Sequence, residues 1–214
     1  MNPEIIDTGD GSHSLFLPEL NETYHSRKGA LTESIYVYIT QGLAKQQKPN
    51  LAVLEFGFGT GLNALLTWQY AIEHQVKVRY YTTELFPLEL DLALALNYGQ
   101  EDQKRYDALH EASWNEWVDL DSNFSIYKHH GRFLDHSAEE VDVIYYDAFA
   151  PSKQAEVWEL DYLQKAWEAL KPGGMLVTYC AQGQFKRNLK SLGFEVETLA
   201  GPPGKQEMVR ATKP

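Results

Sequence analysis

Cysteine is nearly missing from this sequence. Cys180 is the single one in 214 residues, which excludes an intramolecular disulfide. Its neighbours over residues 175–179 read as a buried strand, so Cys180 is expected to be an inert core thiol. No run approaches the roughly 18 apolar residues that a membrane span needs. The start, Met1-Asn-Pro-Glu-Ile, lacks the basic stretch and apolar run of a signal peptide. These absences lead to the expectation of a soluble, cytoplasmic chain without membrane contact. Positive charge is also scarce, with 19 Lys and Arg against 30 Asp and Glu, for a net charge of −11. A protein that grips nucleic acid mainly through phosphates presents a basic face. Here only modest clusters occur, at Lys186-Arg187, at Lys190 and between Lys205 and Arg210, which argues against general, sequence-independent nucleic-acid binding and leaves room for a local basic patch. No His, Cys or Asp set has metal-ligand spacing, and His129 and His130, adjacent on a strand, face opposite sides. No metal is expected. Repeats, low-complexity tracts and linkers are absent too. The expectation is one domain over residues 1–214, with residues 1–45 as an N-terminal extension packing on the core.

What remains is ordinary globular composition, 43% hydrophobic and 23% charged. Residues 1–30 are polar and turn-rich. Apolar positions 31, 35, 38 and 39 fit a helical face over residues 31–41, with Thr32 as its N-cap. From residue 51 the pattern alternates. Strands are expected over 51–56, 76–83, 124–127, 141–146 and 175–179, with helices over 62–72, 88–96, 155–170 and 185–192. Two strands, 194–199 and 207–211, follow at the end. The stretch 98–121 is harder to read, with Trp114 and Trp117 assigned to a short helix. Trp68, Trp158 and Trp167 fall in the expected helices as core residues. Strands alternating with helices indicate an α/β fold, a parallel, doubly wound sheet with helices on both faces and ligands at the carboxyl strand ends.

The first strong chemical signal is Gly57-Phe-Gly-Thr-Gly61, three alternating glycines between a strand and a helix. Glycines there permit a tight turn and a close backbone approach to a ligand, and the helix behind offers free N–H groups. The loop is shorter than the dinucleotide GxGxxG pattern and suits a nucleoside cofactor without a pyrophosphate; three glycines can also merely make a turn. Glu84 ends the second strand, where an acid accepts hydrogen bonds from both ribose hydroxyls; the competing reading is a solvated strand-end carboxylate. Glu55, just before the glycines, is placed to face an ammonium group. The second signal is Asp147-Ala-Phe-Ala-Pro151, after the fourth strand. A carboxylate there can orient an amine, accept its proton and stabilise charge forming on nitrogen. Phe149 is a candidate to line the slot for that nitrogen or a base, and Pro151 fixes the turn. Asp147 also reads as a simple turn cap.

Together these segments resemble the tRNA 5-aminomethyl-2-thiouridine methyltransferase family, found alone or as half of a bifunctional wobble-uridine enzyme. The matching stretches are Tyr24-His-Ser26, Gly29-Ala-Leu-Thr-Glu-Ser34, Glu55-Phe-Gly-Phe-Gly-Thr-Gly-Leu-Asn63, Glu84-Leu-Phe-Pro87, Asp147-Ala-Phe-Ala-Pro-Ser-Lys153 with Trp158, Lys171-Pro-Gly-Gly174 and Lys205-Gln-Glu-Met208. The resemblance implies a class I, Rossmann-like methyltransferase fold with a mostly parallel seven-stranded sheet. It implies S-adenosyl-L-methionine as cofactor, held by Tyr24, Glu55, Gly57, Gly59, Gly61, Asn63, Glu84 and Phe86. The implied reaction is N-methylation of the exocyclic amine of 5-aminomethyl-2-thiouridine at the tRNA wobble position, with Asp147 catalytic and Phe149 and Pro151 toward the substrate. tRNA is then a transient partner through a local basic patch, and an oxidoreductase or other modification enzyme is a further candidate partner. One departure is the loop after the third strand, which reads His130-Gly131-Arg132 where the family often carries Gly-Asp. Two readings compete: a small-molecule amine transferase on the same fold (aminopropyl or methyl transfer), and a non-catalytic cofactor-binding subunit.

Overall fold

The computed structural model describes residues 3–100, 102–135 and 140–214. The first described elements are β1 (Glu4–Asp7), β2 (His13–Leu17) and β3 (Glu22–Thr23), a small antiparallel sheet within the stretch read as polar and turn-rich. Helix α1 (Ala30–Ser34) runs on into a π-helical turn, Ile35–Thr40, in place of a uniform helix. Thr32 does not cap it. Gly29 holds that position, and Asp10 from the preceding loop accepts hydrogen bonds from Thr32 N (2.9 Å) and Oγ1 (2.8 Å).

The alternating part contains β4 (Asn50–Phe56), α2 (Leu62–Glu73), β5 (Lys77–Glu84), α3 (Leu90–Leu94), α4 (Gln103–Glu111), β6 (Trp117–Asp119), β7 (Phe124–His130) and β8 (Val141–Tyr146). A single 3-10 turn, Ala155–Trp158, then leads into α5 (Leu160–Ala169). β9 (Leu170–Thr178), α6 (Gly183–Ser191), β10 (Glu195–Ala200) and β11 (Glu207–Thr212) complete the chain. The Lys171-Pro-Gly-Gly174 turn is an irregularity within β9, between the pairs Val141/Leu170 and Val143/Met175. Trp114 and Trp117 are not helical. Trp117 opens β6, and α4 lies just before them.

The main sheet has eight strands rather than seven, in the order β10-β11-β9-β8-β4-β5-β7-β6. The five central strands are parallel, while β6, β10 and β11 pair antiparallel. Consecutive strand residues point to opposite faces. Val53, Tyr80, Val143, Tyr145 and Val177 therefore pack with α2, α4 and the π-helical turn. Leu54, Tyr81, Ile144, Tyr146 and Leu176 pack with α5 and α6. All six residues of β8 are buried, as a central parallel strand covered on both faces requires. From β4 the chain moves to β5 on one side and later returns to β8 on the other. This is the switch in strand order, and the carboxyl ends of β4 and β8 open into a crevice there.

Candidate functional site

The crevice begins with the glycine loop. Gly57, Gly59 and Gly61 have φ of 88°, 50° and 73°, left-handed values that only glycine adopts without strain. A Cβ at Gly59 would stand 3.2 Å from the Tyr24 ring, and one at Gly57 3.2 Å from the Asp147 carbonyl. Gly57 N and Phe58 N donate to Thr83 O at 3.0 and 3.1 Å, which ties the loop to the end of β5. The next residue of β5, Glu84, accepts from Gly59 N (3.0 Å) on one oxygen and from Phe86 N (2.9 Å) on the other. Glu84 thus braces the loop while its remaining lone pairs face the cavity.

Asp147 follows β8, half-buried at the cavity wall. Burial pushes its carboxyl up to about 6, against the opposing pull of the Tyr38 phenol and the Asn63 amide. Asn63 Nδ2, from the first turn of α2, donates to Asp147 Oδ2 at 2.8 Å. The turn beyond Asp147 is pinned by Tyr179 Oη donating to Ala148 O (2.7 Å) and Trp158 Nε1 donating to Phe149 O (2.9 Å). Phe149 meets Tyr24 edge-on, with ring centroids 5.2 Å apart, so the two aromatics flank the space above the glycines.

These elements enclose a cavity of about 620 Å³. Tyr24, Gly57, Gly59, Glu84, Phe86, Asp147 and Phe149 line it, whereas Glu55, Gly61, Asn63 and Pro151 do not. Gly61 turns away toward His110, and Asn63 reaches the site only through Asp147. Glu55 is buried behind the loop. It accepts from Thr82 Oγ1 at 2.8 Å, and burial pushes its carboxyl well above the ordinary range. The cavity has two ends, set by the strand order. Glu84, Leu85, Phe86 and residues 131–134 form the β5/β7 end, with Arg132 in the wall. Glu33, Tyr179 and Lys205 form the β9 end, beyond Asp147.

That second end was not legible as a site in the sequence. Glu33 is 5% exposed and accepts from Ser26 N at 2.8 Å. Lys205 Nζ pairs with Glu33 Oε1 and lies 3.5 Å from the centroid of the Tyr179 ring. Tyr38, on the π-helical turn, buries its hydroxyl against Asp147 without completing a hydrogen bond. The one signal for this end was the set of short motifs around Ser26, Glu33 and Lys205, to which spacing alone attached no role.

Among the described residues no group of three His, Cys, Asp or Glu is placed to hold a metal ion, and no helix is long and apolar enough to cross a membrane. Cys180 is buried, and burial raises its thiol.

Residues 123–214 match the model of a family described as S-adenosyl-L-methionine-dependent methyltransferase. Among curated relatives, the tRNA 5-methylaminomethyl-2-thiouridine biosynthesis bifunctional protein MnmC of Pseudoalteromonas atlantica is 31% identical over 215 residues, covering 88% of this chain and 30% of its own length. The protein of the same name from Nitrosospira multiformis is 27% identical, covering 98% of this chain and 37% of its own length. The chain thus spans about a third of the curated relatives it matches. The crystal structure of MNMC2 from Aquifex aeolicus superposes with a TM-score of 0.81 at 24% identity, over 100% of this chain and 72% of that one, which shows a shared fold. The glycine loop, its acid and the carboxylate after β8 thus sit on a class I fold, and the chain is an S-adenosyl-L-methionine-dependent methyltransferase related to the part of the MnmC bifunctional proteins that it matches.

Proposed function

We propose that the chain methylates the exocyclic amine of a 5-aminomethyluridine, in its 2-thio form, at the wobble position of tRNA. The observation that carries this reading is a half-buried carboxylate, Asp147, set beside a glycine cradle and raised to about 6. Relatives 31% and 27% identical to this chain are named for the biosynthesis of 5-methylaminomethyl-2-thiouridine.

The residues present fit the cofactor. The cradle leaves no room for a Cβ beside Tyr24, and the adjoining wall carries the Glu84 carboxylate for ribose hydroxyls. When bound, S-adenosyl-L-methionine supplies an electrophilic methyl carbon on sulfonium. Gly57 and Gly59 would form the loop against which it packs, with Tyr24 and Phe86 in the same wall, while Gly61 would shape the loop from behind. Glu55, outside the cavity wall and with its carboxyl pushed up by burial, ties β4 to β5 through Thr82, next to the residue that anchors the loop.

The work of Asp147 is acid–base. Above about pH 6 its carboxylate accepts a hydrogen bond from the substrate amine and aims the nitrogen lone pair at the methyl carbon. The bound cofactor would give up its methyl group to nitrogen and keep the electron pair of the broken S–C bond on sulfur. The proton displaced from nitrogen passes to Asp147 Oδ1 or Oδ2. Asn63 holds that carboxylate in one orientation. Phe149 and Tyr24 shield the space from water, and Pro151 stiffens the loop that carries Phe149.

The test is to incubate the protein with labelled cofactor and tRNA from a strain lacking this methylation, then digest the RNA and identify the labelled nucleoside. Label in 5-methylaminomethyl-2-thiouridine supports the reading. Cofactor binding without label in tRNA rejects it in favour of a small-molecule amine substrate.

A further inference from the structure

The N-terminal segment and the turn between β10 and β11 meet at one point outside the glycine cradle. Ser26, Glu33 and Lys205 lie on separate segments, yet Glu33 accepts both the Ser26 N–H and the Lys205 ammonium. The point is at the β9 end of the cavity, on the far side of Asp147 from Glu84. A carboxylate as buried as Glu33 is expensive to keep charged unless it is paired. Burying that carboxylate is thus the means by which a lysine is held at the cavity wall.

Lys205 is not used up by this pairing. An ammonium has three donors, and among the described residues its only hydrogen-bond partner is Glu33. The face of Tyr179 supports it from a second side and fixes its direction. It remains 30% exposed in its side chain, toward the cavity, and its charge is felt at Asp147. One wall thus offers a carboxylate for an amine and, next to it, a fixed cation for an acceptor.

Resting on the wobble-uridine reading, we infer that Lys205 is a substrate-contacting specificity residue that donates a hydrogen bond to the 4-carbonyl oxygen of the pyrimidine whose C5 carries the amine. The aminomethyl group and the 4-carbonyl stand on neighbouring ring carbons. Asp147 and Lys205 together then read an amine with an adjacent carbonyl, a pair that free polyamines and lysine side chains lack. Glu33 and Tyr179 are positioning residues for Lys205.

The experiment uses single-turnover methylation of tRNA carrying 5-aminomethyl-2-thiouridine, with cofactor Kd and Tm measured in parallel, for the wild type, Lys205→Met and the double variant Glu33→Gln/Lys205→Met. The single variant strands the Glu33 charge and is expected to lose both Tm and activity. The double variant removes both charges, so Tm should recover and cofactor Kd should stay within about twofold, while transfer remains down about a hundredfold, the size expected for one charged hydrogen bond. Recovery of wild-type transfer by the double variant would show that Lys205 merely neutralises Glu33 and would overturn the assignment. A second readout needs the wild type alone: an anticodon stem-loop with sulfur replacing the 4-oxygen should be methylated at least about tenfold more slowly, and equal rates overturn the assignment. Failure of the wild type to label the natural tRNA at all rejects the wobble-uridine reading, and this inference with it.

Discussion

Asn63 and Asp147, 84 positions apart, are joined by a 2.8 Å hydrogen bond from amide to carboxylate. It connects the first turn of the helix behind the glycine loop with the group proposed to serve the amine. Cofactor loop and reacting carboxylate are therefore built as one rigid unit. Replacing Asn63 with Leu frees Asp147 to rotate, and kcat is expected to fall about ten- to a hundredfold. Calorimetry on the same variant should show a cofactor Kd changed much less than kcat. A loss confined to Kd would instead make Asn63 a cofactor ligand.

The raised carboxyl of Asp147 sets a pH limb. With Asp147 at about 6, kcat/KM should carry a limb below that value, added to the rise that deprotonation of the substrate amine imposes at higher pH. The limb should disappear in Asp147→Asn along with most of the activity.

The same shift predicts a cost in stability. The folded pKa lies above the ordinary 3.8, so the folded state holds this proton more tightly than the unfolded chain. Stability from this group is present below pH 4 and is lost as pH rises through about 6. Asp147→Asn should therefore melt higher than the wild type at pH 8, with the difference vanishing near pH 4. Thermal melts at the two pH values decide it.

Much of this site is legible in the sequence because its parts are local. Three alternating glycines after a strand, an acid ending the next strand and Asp147 following a largely apolar strand each declare themselves within a few residues. The Glu33–Lys205 pair does not, since it spans 172 positions and each member reads as an ordinary surface charge. Tyr38 is hidden for a different reason. Its position looks like any helical core residue, and only the π-helical turn brings its hydroxyl to Asp147. Helix α4 escaped notice because only Tyr106 and Leu109 are buried on it, too few to show a period. β6, a three-residue edge strand, is shorter than any alternation signal, which accounts for both the misplaced tryptophans and the uncounted eighth strand.

Glu84 holds two backbone N–H groups of the loops around it, so its removal does more than delete a ribose contact. Glu84→Ala should weaken cofactor binding by about a hundredfold, the worth of one to two charge-assisted hydrogen bonds. Gly59→Ala should weaken it as well, because φ of 50° and a contact 3.2 Å from Tyr24 both oppose a Cβ. Equilibrium dialysis with labelled cofactor measures both, and unchanged affinity in either variant would remove that residue from the cradle.

Lys128 has no measurable exposure and donates to the Leu109 and His110 carbonyls at the end of α4, at 2.8 and 2.9 Å. His110 in turn bonds Thr60 O of the glycine loop at 3.1 Å. Burial lowers the Lys128 ammonium to about 8. The folded state then binds this proton less tightly than the unfolded chain, so stability from this group rises as pH climbs from 8 toward 10.5. Lys128→Met strands two carbonyls and should cost about 2 kcal/mol at neutral pH. The gap to the wild type should widen at pH 9.5. Denaturant titrations showing a gap independent of pH would contradict a buried, proton-poor lysine.

The central claim is that Asp147 serves the amine of a wobble uridine. It is tested most directly by single-turnover methylation of tRNA bearing 5-aminomethyl-2-thiouridine, comparing the wild type with Asp147→Asn at pH 8 and measuring cofactor Kd on the same samples. The account predicts methyl transfer to that nucleoside by the wild type. It also predicts at least about a hundredfold loss in the variant, with Kd within about threefold. A variant that transfers methyl at the wild-type rate would contradict it.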